Sequence, residues 1–273
     1  RFTQFYANGP VCTPTRCGLM TGRYQQRIGG LEWAIPPGKK HLGLPAQEKT
    51  LATMLRETGY ATALSGKWHL GYTTDRAPNA HGFDHFFGLL SGNHDYFTHR
   101  ENNGEPDLYL DVTPVVMDGY STHLITRYAL QFLETMKDKP FFLYLAYNAP
   151  HFPFQAPENA ARPVTLKGWA MGSRETYARM VETLDAGVGE VLTALDRHGL
   201  TGNTLVVFAS DNGGDRYSRN EPLAKGKGQL WEGGIRVPCL VRWPGQSPAG
   251  KQLEQTGIMM DWTVTIAQLA GAV

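Results

Sequence analysis

The sequence predicts an α/β domain in which a mostly parallel central sheet is sandwiched by helices. Two uninterrupted apolar runs, at residues 141–147 and 204–210, are typical of strands buried on both faces of a sheet. Two longer segments, at 121–137 and 173–197, repeat apolar residues at helical spacing and alternate with those runs. The 273 residues are 41% hydrophobic and 19% charged, which suits one large globular domain, and no internal boundary is evident.

Shorter elements complete this alternation. They are strands at 5–7, 60–65, 83–90, 108–110 and 238–243, and helices at 12–22, 50–59 and 264–270. Residues 72–120 are rich in Gly, Pro, Asn and Asp, so we expect them to be mostly loop. Ser121 is the predicted cap of the helix that follows it, and Gly22 and Gly199 are predicted to end helices.

Charge and cysteine content exclude several classes of protein. The formal net charge of +1 gives no reason to expect nucleic acid or an anionic membrane as a partner. No apolar run reaches transmembrane length, and no signal peptide is recognisable. The three cysteines form no zinc pattern; Cys17 and Cys239 could pair or stay free, whereas a bridge between Cys12 and Cys17 is disfavoured.

The most informative stretch is the segment 11–24, which reads VCTPTRCGLMTGRY. Pro14 suits a first helical turn, which places Cys12 at or just before a helix N-terminus. Backbone N–H groups and the helix dipole favour negative charge there, and Arg16 adds a cation on the same face. The stretch therefore predicts a reactive sulfur beside an anion site; a buried structural thiol is the alternative.

Reactive side chains follow four of the predicted strands. They are Cys12 after 5–7, Lys67 and His69 after 60–65, His151 after 141–147, and Asp211 with Asn212 after 204–210. In open α/β sheets, ligands bind beyond the carboxyl ends of the strands, so we expect these groups to converge at one edge. Carboxylate and amide oxygens suit a divalent cation, although Asp-Asn-Gly-Gly at 211–214 could be only a turn. Lys227 could likewise be only flexible basic surface.

Several segments resemble one family. Cys12-Thr13-Pro14-Thr15-Arg16, continued by LMTGR at 19–23, closely resembles the signature of the type I sulfatases of the alkaline phosphatase superfamily. GKWHLG at 66–71, APH at 149–151, SDNGG at 210–214 and GKG at 226–228 are similar to further sulfatase segments. The resemblance extends over nearly the whole sequence.

This resemblance implies a set of roles. Cys12 would be oxidised to Cα-formylglycine by a formylglycine-generating or anaerobic maturation enzyme, and its hydrate would be the nucleophile. Arg16 and His69 would contact that group, Lys67 and Lys227 would bind sulfate, and His151 would bind sulfate and donate a proton. Asp211 and Asn212 would bind Ca²⁺, or Mg²⁺, and Ser91 is a candidate substrate contact. The resemblance favours a periplasmic, secreted or lysosomal location.

The family pattern also predicts what lies outside the sequence. In the family, the first strand ends in two aspartates that bind the metal, and this sequence begins after that point. We therefore expect 1–273 to be a single sulfatase-like catalytic domain, truncated at both ends and lacking the C-terminal subdomain. Asp211 and Asn212 alone do not complete a Ca²⁺ site, which uses six to eight oxygen ligands.

The predicted reaction is hydrolysis of the sulfate ester of a small molecule or glycan, with sulfated polysaccharide as the expected class. The hydrate attacks sulfur, and its second hydroxyl then allows sulfate to be expelled. One alternative is a phosphomonoester, phosphodiester or phosphonate hydrolase of the same superfamily, and another is a non-catalytic remnant that binds sulfated glycans. We expect the loop 72–120 to shape the leaving-group pocket through Tyr72, His85, Phe86, His94, Tyr96, Phe97, His99 and Arg100.

Overall fold

A computed structural model describes residues 1–159 and 164–272 of the chain. Within these residues the strands are β1 (Phe5–Tyr6), β2 (Ala61–Lys67), β3 (His85–Leu89), β4 (Tyr109–Leu110), β5 (Thr113–Pro114), β6 (Phe141–Ala146), β7 (Val206–Ala209), β8 (Cys239–Arg242) and β9 (Gly257–Ile258). The α-helices are α1 (Cys12–Thr21), α2 (Leu51–Glu57), α3 (Ser121–Met136), α4 (Arg174–Arg197), α5 (Glu232–Ile235) and α6 (Asp261–Leu269). The predicted elements are thus found, with end shifts of a few residues.

The central sheet has the strand order β5-β4-β3-β2-β6. Strand β2 is parallel to both of its neighbours, β3 and β6, whereas β4 and β5 add an antiparallel edge. Two further ladders are separate from it: β1 pairs with β9 in parallel, and β7 pairs with β8 antiparallel. The mostly parallel α/β prediction is confirmed, although not all the predicted strands join one sheet.

Glycines allow the strands of the central sheet to approach closely where β2 ends. Gly66 lies opposite Gly88 of β3 and Ala146 of β6. It has φ of 123°, and a Cβ atom on it would lie 2.0 Å from the carbonyl oxygen of Ala146. A Cβ atom on Gly88 would lie 1.9 Å from the carbonyl oxygen of Gly66. The next residue, Lys67, is the last of the strand, so this packing fixes its position.

Helix α1 packs on the segment that follows β2. Trp68 and Leu70 are fully buried in one apolar cluster with Cys17 and Met20 of α1. The indole N–H of Trp68 is satisfied by the carbonyl of Arg76 at 2.8 Å. Since large buried side chains contribute about 1.5–3 kcal/mol each, this cluster holds the start of α1 against the end of β2.

The prediction that β6 and β7 are buried on both faces is wrong. Residues Phe141 to Leu145 are half-buried, and Phe208 of β7 is exposed. Within the described residues each strand pairs on one side only, and a cleft of about 1670 Å³ lies between them. Apolar residues of α4 that were predicted to point inward, such as Val181 and Val188, line the same cleft. These apolar residues of α4 are therefore not fully buried, although their spacing predicted that they would be.

Helix ends agree with the predictions except at α3. Gly22 follows α1 with a left-handed φ of 65° and donates its N–H to the carbonyl of Gly18, as predicted. Ser121 is instead the first residue of α3, and Tyr120 occupies the cap position. The Ser121 hydroxyl donates to the carbonyl of Tyr96 and lies 2.8 Å from Nε2 of His94. The Ser121 side chain therefore connects the 94–96 loop to α3 and does not cap the helix.

The three cysteines, Cys12, Cys17 and Cys239, are buried free thiols. Cys17 and Cys239, whose pairing the sequence left open, therefore form no bridge. Among the described helices, none combines the length and apolar character needed to cross a membrane.

Candidate active site

Cys12 is the first residue of α1 and is almost fully buried. Its cap residue, Val11, has extended backbone angles and offers no side-chain acceptor to the first turn. The Nζ atom of Lys67 donates a hydrogen bond to Cys12 Sγ at 3.1 Å. A sulfur atom at a helix N-terminus thus contacts a buried cation that arrives from the end of β2.

The electrostatic surroundings favour the thiolate form of Cys12. Burial alone would raise the pKa of this thiol, but the charges of Lys67 and Lys227 and the adjacent imidazoles of His151 and His69 outweigh it. The pKa of Cys12 therefore lies well below its usual value. The other two thiols lie elsewhere: burial raises the pKa of Cys17 to about 12 and that of Cys239 to about 11.

Arg16 connects four elements of the site. Its Nε and Nη2 atoms donate to Oδ2 of Asp211 at 3.0 and 2.8 Å. Its Nη1 atom donates to the carbonyl of Lys67 at 2.7 Å and lies 3.3 Å from the hydroxyl of Tyr144 in β6. Burial alone would lower the pKa of Arg16, but the interactions with Tyr144, Asp211 and Cys12 raise it overall. The guanidinium is therefore a permanent buried cation.

His69 links the site to a loop that precedes α2. It has a left-handed φ of 55°, and its Nε2 atom lies 3.0 Å from the carbonyl oxygen of Ile35. Its own carbonyl accepts a hydrogen bond from the hydroxyl of Thr13 at 3.1 Å. Burial and the charge of Lys67 lower the pKa of His69. The imidazole is neutral at physiological pH.

His151 approaches Cys12 from the segment after β6. Its Nδ1 atom lies 2.8 Å from the carbonyl oxygen of Phe152, and its own carbonyl accepts a hydrogen bond from Tyr96. Burial and the charge of Lys227 lower the pKa of His151 to about 4. As the site stands, this imidazole is also neutral near pH 7.

Lys227 is positioned by backbone hydrogen bonds on both sides. Its N–H donates to the carbonyl of Gly214 at 3.0 Å, and the N–H of Gly228 donates to the carbonyl of Pro10 at 2.9 Å. A Cβ atom on Gly226 would lie 2.5 Å from the Gly214 carbonyl oxygen, so this contact requires glycine. These contacts favour a fixed backbone at Lys227 over the alternative of flexible basic surface.

Asp211 and Asn212 supply oxygen atoms at the end of β7. Asn212 Oδ1 is buried without a hydrogen-bond partner, whereas its Nδ2 atom donates to the carbonyl of Gly213. An unpaired buried amide oxygen is costly unless a cation or donor faces it. Within residues 1–159 and 164–272, no group of three or more His, Cys, Asp or Glu side chains is placed so that it could hold a metal ion. The oxygen atoms of Asp211 and Asn212 are of the kind that a hard cation binds.

A pocket of about 320 Å³ opens above Cys12. Of the predicted site residues, it brings together Cys12, His69, Ser91, His151 and Lys227. The others, Arg16, Lys67, Asp211 and Asn212, line the cleft beside β6 and β7. Ser91 is buried and donates its hydroxyl to the carbonyl of Asn93 at 2.8 Å, so that hydroxyl is already engaged.

The remaining lining of the pocket differs from the predicted one. The predicted residues Phe86, His94 and Tyr96 are fully buried in the core. From the 72–120 loop, the pocket instead takes Ser91, Gly92, Asn93, Glu101 and Asn102. It also takes Trp33, Ala34, Ile35, Pro36 and Pro37, along with Phe152 and Asp215. The sequence signal for the 33–37 segment was a tryptophan in a Pro-rich stretch without periodicity.

Comparisons with known proteins agree with this architecture. A sequence model of the family described as Sulfatase matches residues 1–272. Arylsulfatase J of Mus musculus is 38% identical over 276 residues, which cover 96% of this chain and 45% of the relative. N-acetylgalactosamine-6-sulfatase of Canis lupus familiaris is 33% identical over 298 residues, which cover 99% and 55% respectively. The chain thus spans about half the length of these curated relatives.

A solved structure extends the agreement to the fold. The structure described as Ps i-CgsB in complex with k-i-k-neocarrahexaose matches 100% of this chain and 64% of its own, with 38% identity and a TM-score of 0.89. The chain therefore belongs to the sulfatase family.

Proposed function

We propose that the full-length protein hydrolyses sulfate esters, with Cys12 as the precursor of its nucleophile. The observation that carries this proposal is the contact between Lys67 Nζ and Cys12 Sγ, 3.1 Å apart, with Lys227 and Arg16 close by. Three cations around one small group are unusual in a chain with a net charge of only +1. Such a cluster suits a ligand that carries negative charge on several oxygens.

The surroundings of Cys12 fit formylglycine. The side chain lines the pocket, its environment stabilises negative charge, and the neighbouring thiol, Cys17, has none of these features. Formylglycine, once formed by a maturation enzyme, supplies a hydrated aldehyde that acts as an oxygen nucleophile. Arg16, Lys67 and His69 would orient this group through the contacts described above.

The chain's own residues would then bind and protonate the substrate. Lys67 and Lys227 would bind the sulfuryl oxygens as fixed positive groups, whose effect is large in a buried site. His151 is neutral in the free site, but an anion bound beside it would raise its pKa because negative charge favours the imidazolium. His151 could then donate a proton to the leaving oxygen.

Asp211 and Asn212 would hold a hard divalent cation, Ca²⁺ or Mg²⁺. The unpaired buried Oδ1 of Asn212 supports this assignment, and such a cation would supply further positive charge toward the sulfuryl oxygens. We assign residues 1–273 to one sulfatase-like catalytic domain.

A sulfated glycan is the proposed substrate class. N-acetylgalactosamine-6-sulfatase is a similar protein, and Ps i-CgsB was solved with a carrahexaose. The family membership also suggests a periplasmic, secreted or lysosomal location for the full-length protein. No feature of the described residues supports nucleic acid as a partner.

The test compares a chromogenic aryl sulfate with the matching aryl phosphate. The full-length protein, co-expressed with a maturation enzyme, should prefer the sulfate, and Cys12→Ala should lower kcat by about a thousand-fold or more. Cys17→Ala is the matched control and should retain most of the activity. A preference for phosphate would instead support the superfamily alternative, and turnover of neither ester would support a non-catalytic binder.

A further inference from the structure

Trp33 lies at the rim of the pocket that contains Cys12. Its side chain is 56% exposed, although tryptophan is strongly buried on average. It lines the same 320 Å³ pocket as Cys12, His151 and Lys227. A large aromatic side chain that stays exposed beside a charged site is a candidate for contact with a ligand.

The backbone that carries Trp33 is fixed to the reactive residues. Ile35, two residues on, is buried and donates its N–H to the hydroxyl of Thr13 in α1 at 3.3 Å. Its carbonyl oxygen lies 3.0 Å from Nε2 of His69. Pro36 and Pro37 follow and restrict the backbone further. The segment that carries Trp33 is therefore held by contacts with Thr13 and His69, which both lie near Cys12.

The other walls of the pocket carry polar groups suited to hydroxyls. The Oδ1 atom of Asn93 accepts a hydrogen bond from the indole N–H of Trp169 at 2.9 Å. The Nδ2 group of Asn93 has no acceptor among the described residues. Asn102 and Asp215 also line the pocket and are exposed. The pocket thus combines one aromatic face with several hydrogen-bonding groups.

We infer that this pocket binds a sulfated pyranose ring, with Trp33 stacked on its C–H face and Asn93, Asn102 and Asp215 bound to its hydroxyls. This inference rests on the proposed function and names the residues that select the substrate. A pyranose has an apolar face and a polar edge, so it satisfies both kinds of wall. A steroid or a plain aryl group would offer these amides and the carboxylate no hydroxyl groups to bind.

Binding to an inert protein separates this inference from catalysis. The full-length Cys12→Ala protein is titrated with monosulfated galacto- and gluco-configured disaccharides, with a steroid sulfate, with 4-nitrophenyl sulfate and with inorganic sulfate. The same titrations are made after Trp33→Ala or Trp33→Phe. Trp231→Ala is the matched control, because Trp231 is 58% exposed and does not line the pocket.

We expect a disaccharide sulfate to bind more tightly than the steroid or aryl sulfate. Trp33→Ala should weaken that binding by about ten-fold while the affinity for inorganic sulfate changes less than about two-fold. Trp33→Phe should retain most of the affinity, and Trp231→Ala all of it. Unchanged disaccharide binding in Trp33→Ala, an equal loss for inorganic sulfate, or tighter binding of the steroid or aryl sulfate would overturn the inference. Failure of the matured protein to hydrolyse any sulfate ester would overturn only the proposed function.

Discussion

Arg16 places two of its nitrogen atoms, Nε and Nη2, on a single carboxylate oxygen of Asp211, at 3.0 and 2.8 Å. Its third nitrogen reaches the carbonyl of Lys67. One side chain thus joins the helix that carries Cys12 to the ends of β2 and β7. The other carboxylate oxygen of Asp211 receives no hydrogen bond from Arg16, so it stays available to a cation.

Loss of this ion pair should destabilise the chain. Asp211→Asn leaves the buried Arg16 cation without its anionic partner, so we expect the free energy of unfolding to fall by about 2 kcal/mol. That value is discounted because the Asp211 side chain is 27% exposed. The measurement is denaturant unfolding in the presence of a chelator, so that bound metal does not contribute to the free energy of unfolding. Glu158→Gln, which breaks an exposed pair with Arg179, is the control and should cost less than about 1 kcal/mol. Equal losses for the two variants would contradict this assignment.

Lys67 should control the reactivity of unmatured Cys12. Lys67→Met removes the largest charge that lowers the pKa of this thiol, so we expect its alkylation profile to move up by about one pH unit or more. The measurement is the rate of iodoacetamide labelling against pH, followed by peptide mass. Lys49→Met, at an exposed lysine paired with Glu57, should leave the profile in place. An unshifted profile in Lys67→Met would mean that other groups hold the thiolate.

Gly66 should tolerate no larger residue. In Gly66→Ala the new Cβ atom would lie 2.0 Å from the Ala146 carbonyl oxygen, in a left-handed conformation that only glycine adopts readily. We expect a loss of about 3 kcal/mol or more in the free energy of unfolding, or failure to fold. Gly202→Ala is the control, because a Cβ atom there meets nothing within 4 Å. Similar stability of the two variants would show that β2 and β6 can separate without penalty.

His81 should make the fold sensitive to acid. Burial lowers its pKa from 6.5 to about 4, so between these pH values the unfolded chain binds more protons than the folded one. The free energy of unfolding should therefore fall as the pH drops from 6.5 to 4. The fall from His81 alone amounts to about 3 kcal/mol once its protonation is complete.

The test for His81 is a pair of unfolding series at pH 4 to 7. His81→Phe keeps a ring against Trp68, whose ring centroid is 5.7 Å away, and should make the pH dependence shallower. Phe83→Leu, which changes the packing against the same Trp68 ring and removes no ionisable group, is the control and should leave the slope as it is. Other buried histidines act in the same direction, whereas Asp107, whose pKa burial raises to about 8, opposes them. An unchanged slope in His81→Phe would contradict the assignment.

The elements could be predicted because each has a local signature. The apolar run of β6, the helical spacing of α4 and the glycine after α1 all depend on nearby residues, and the structure confirms each. The pairing of strands could not be predicted, because it depends on distant contacts such as that of Phe5 with Gly257. For the same reason, an apolar pattern indicated full burial for β7, which within the described part of the chain pairs on one side only.

Some features of the site could likewise be predicted from the sequence, whereas others could not. The rule that polar groups meet beyond strand ends places Lys67, His151 and Asp211 near Cys12 and Arg16, and the geometry agrees, while their chemical roles stay predictions. Tyr144 could not be found in this way, because it lies inside an apolar strand run. Phe86, His94 and Tyr96 were assigned to the pocket, but the structure buries them in the core.

The mass of the Cys12 peptide tests the central claim most directly. Trypsin cleaves after Arg1, Arg16 and Arg23, so it separates Cys12 (residues 2–16) from Cys17 (residues 17–23). In full-length protein made with a maturation enzyme, the 2–16 peptide should lose its sulfur and carry an aldehyde, in proportion to sulfatase activity. The 17–23 peptide should keep its thiol and serve as the internal control. An intact Cys12 thiol in a preparation that hydrolyses sulfate esters would contradict the account.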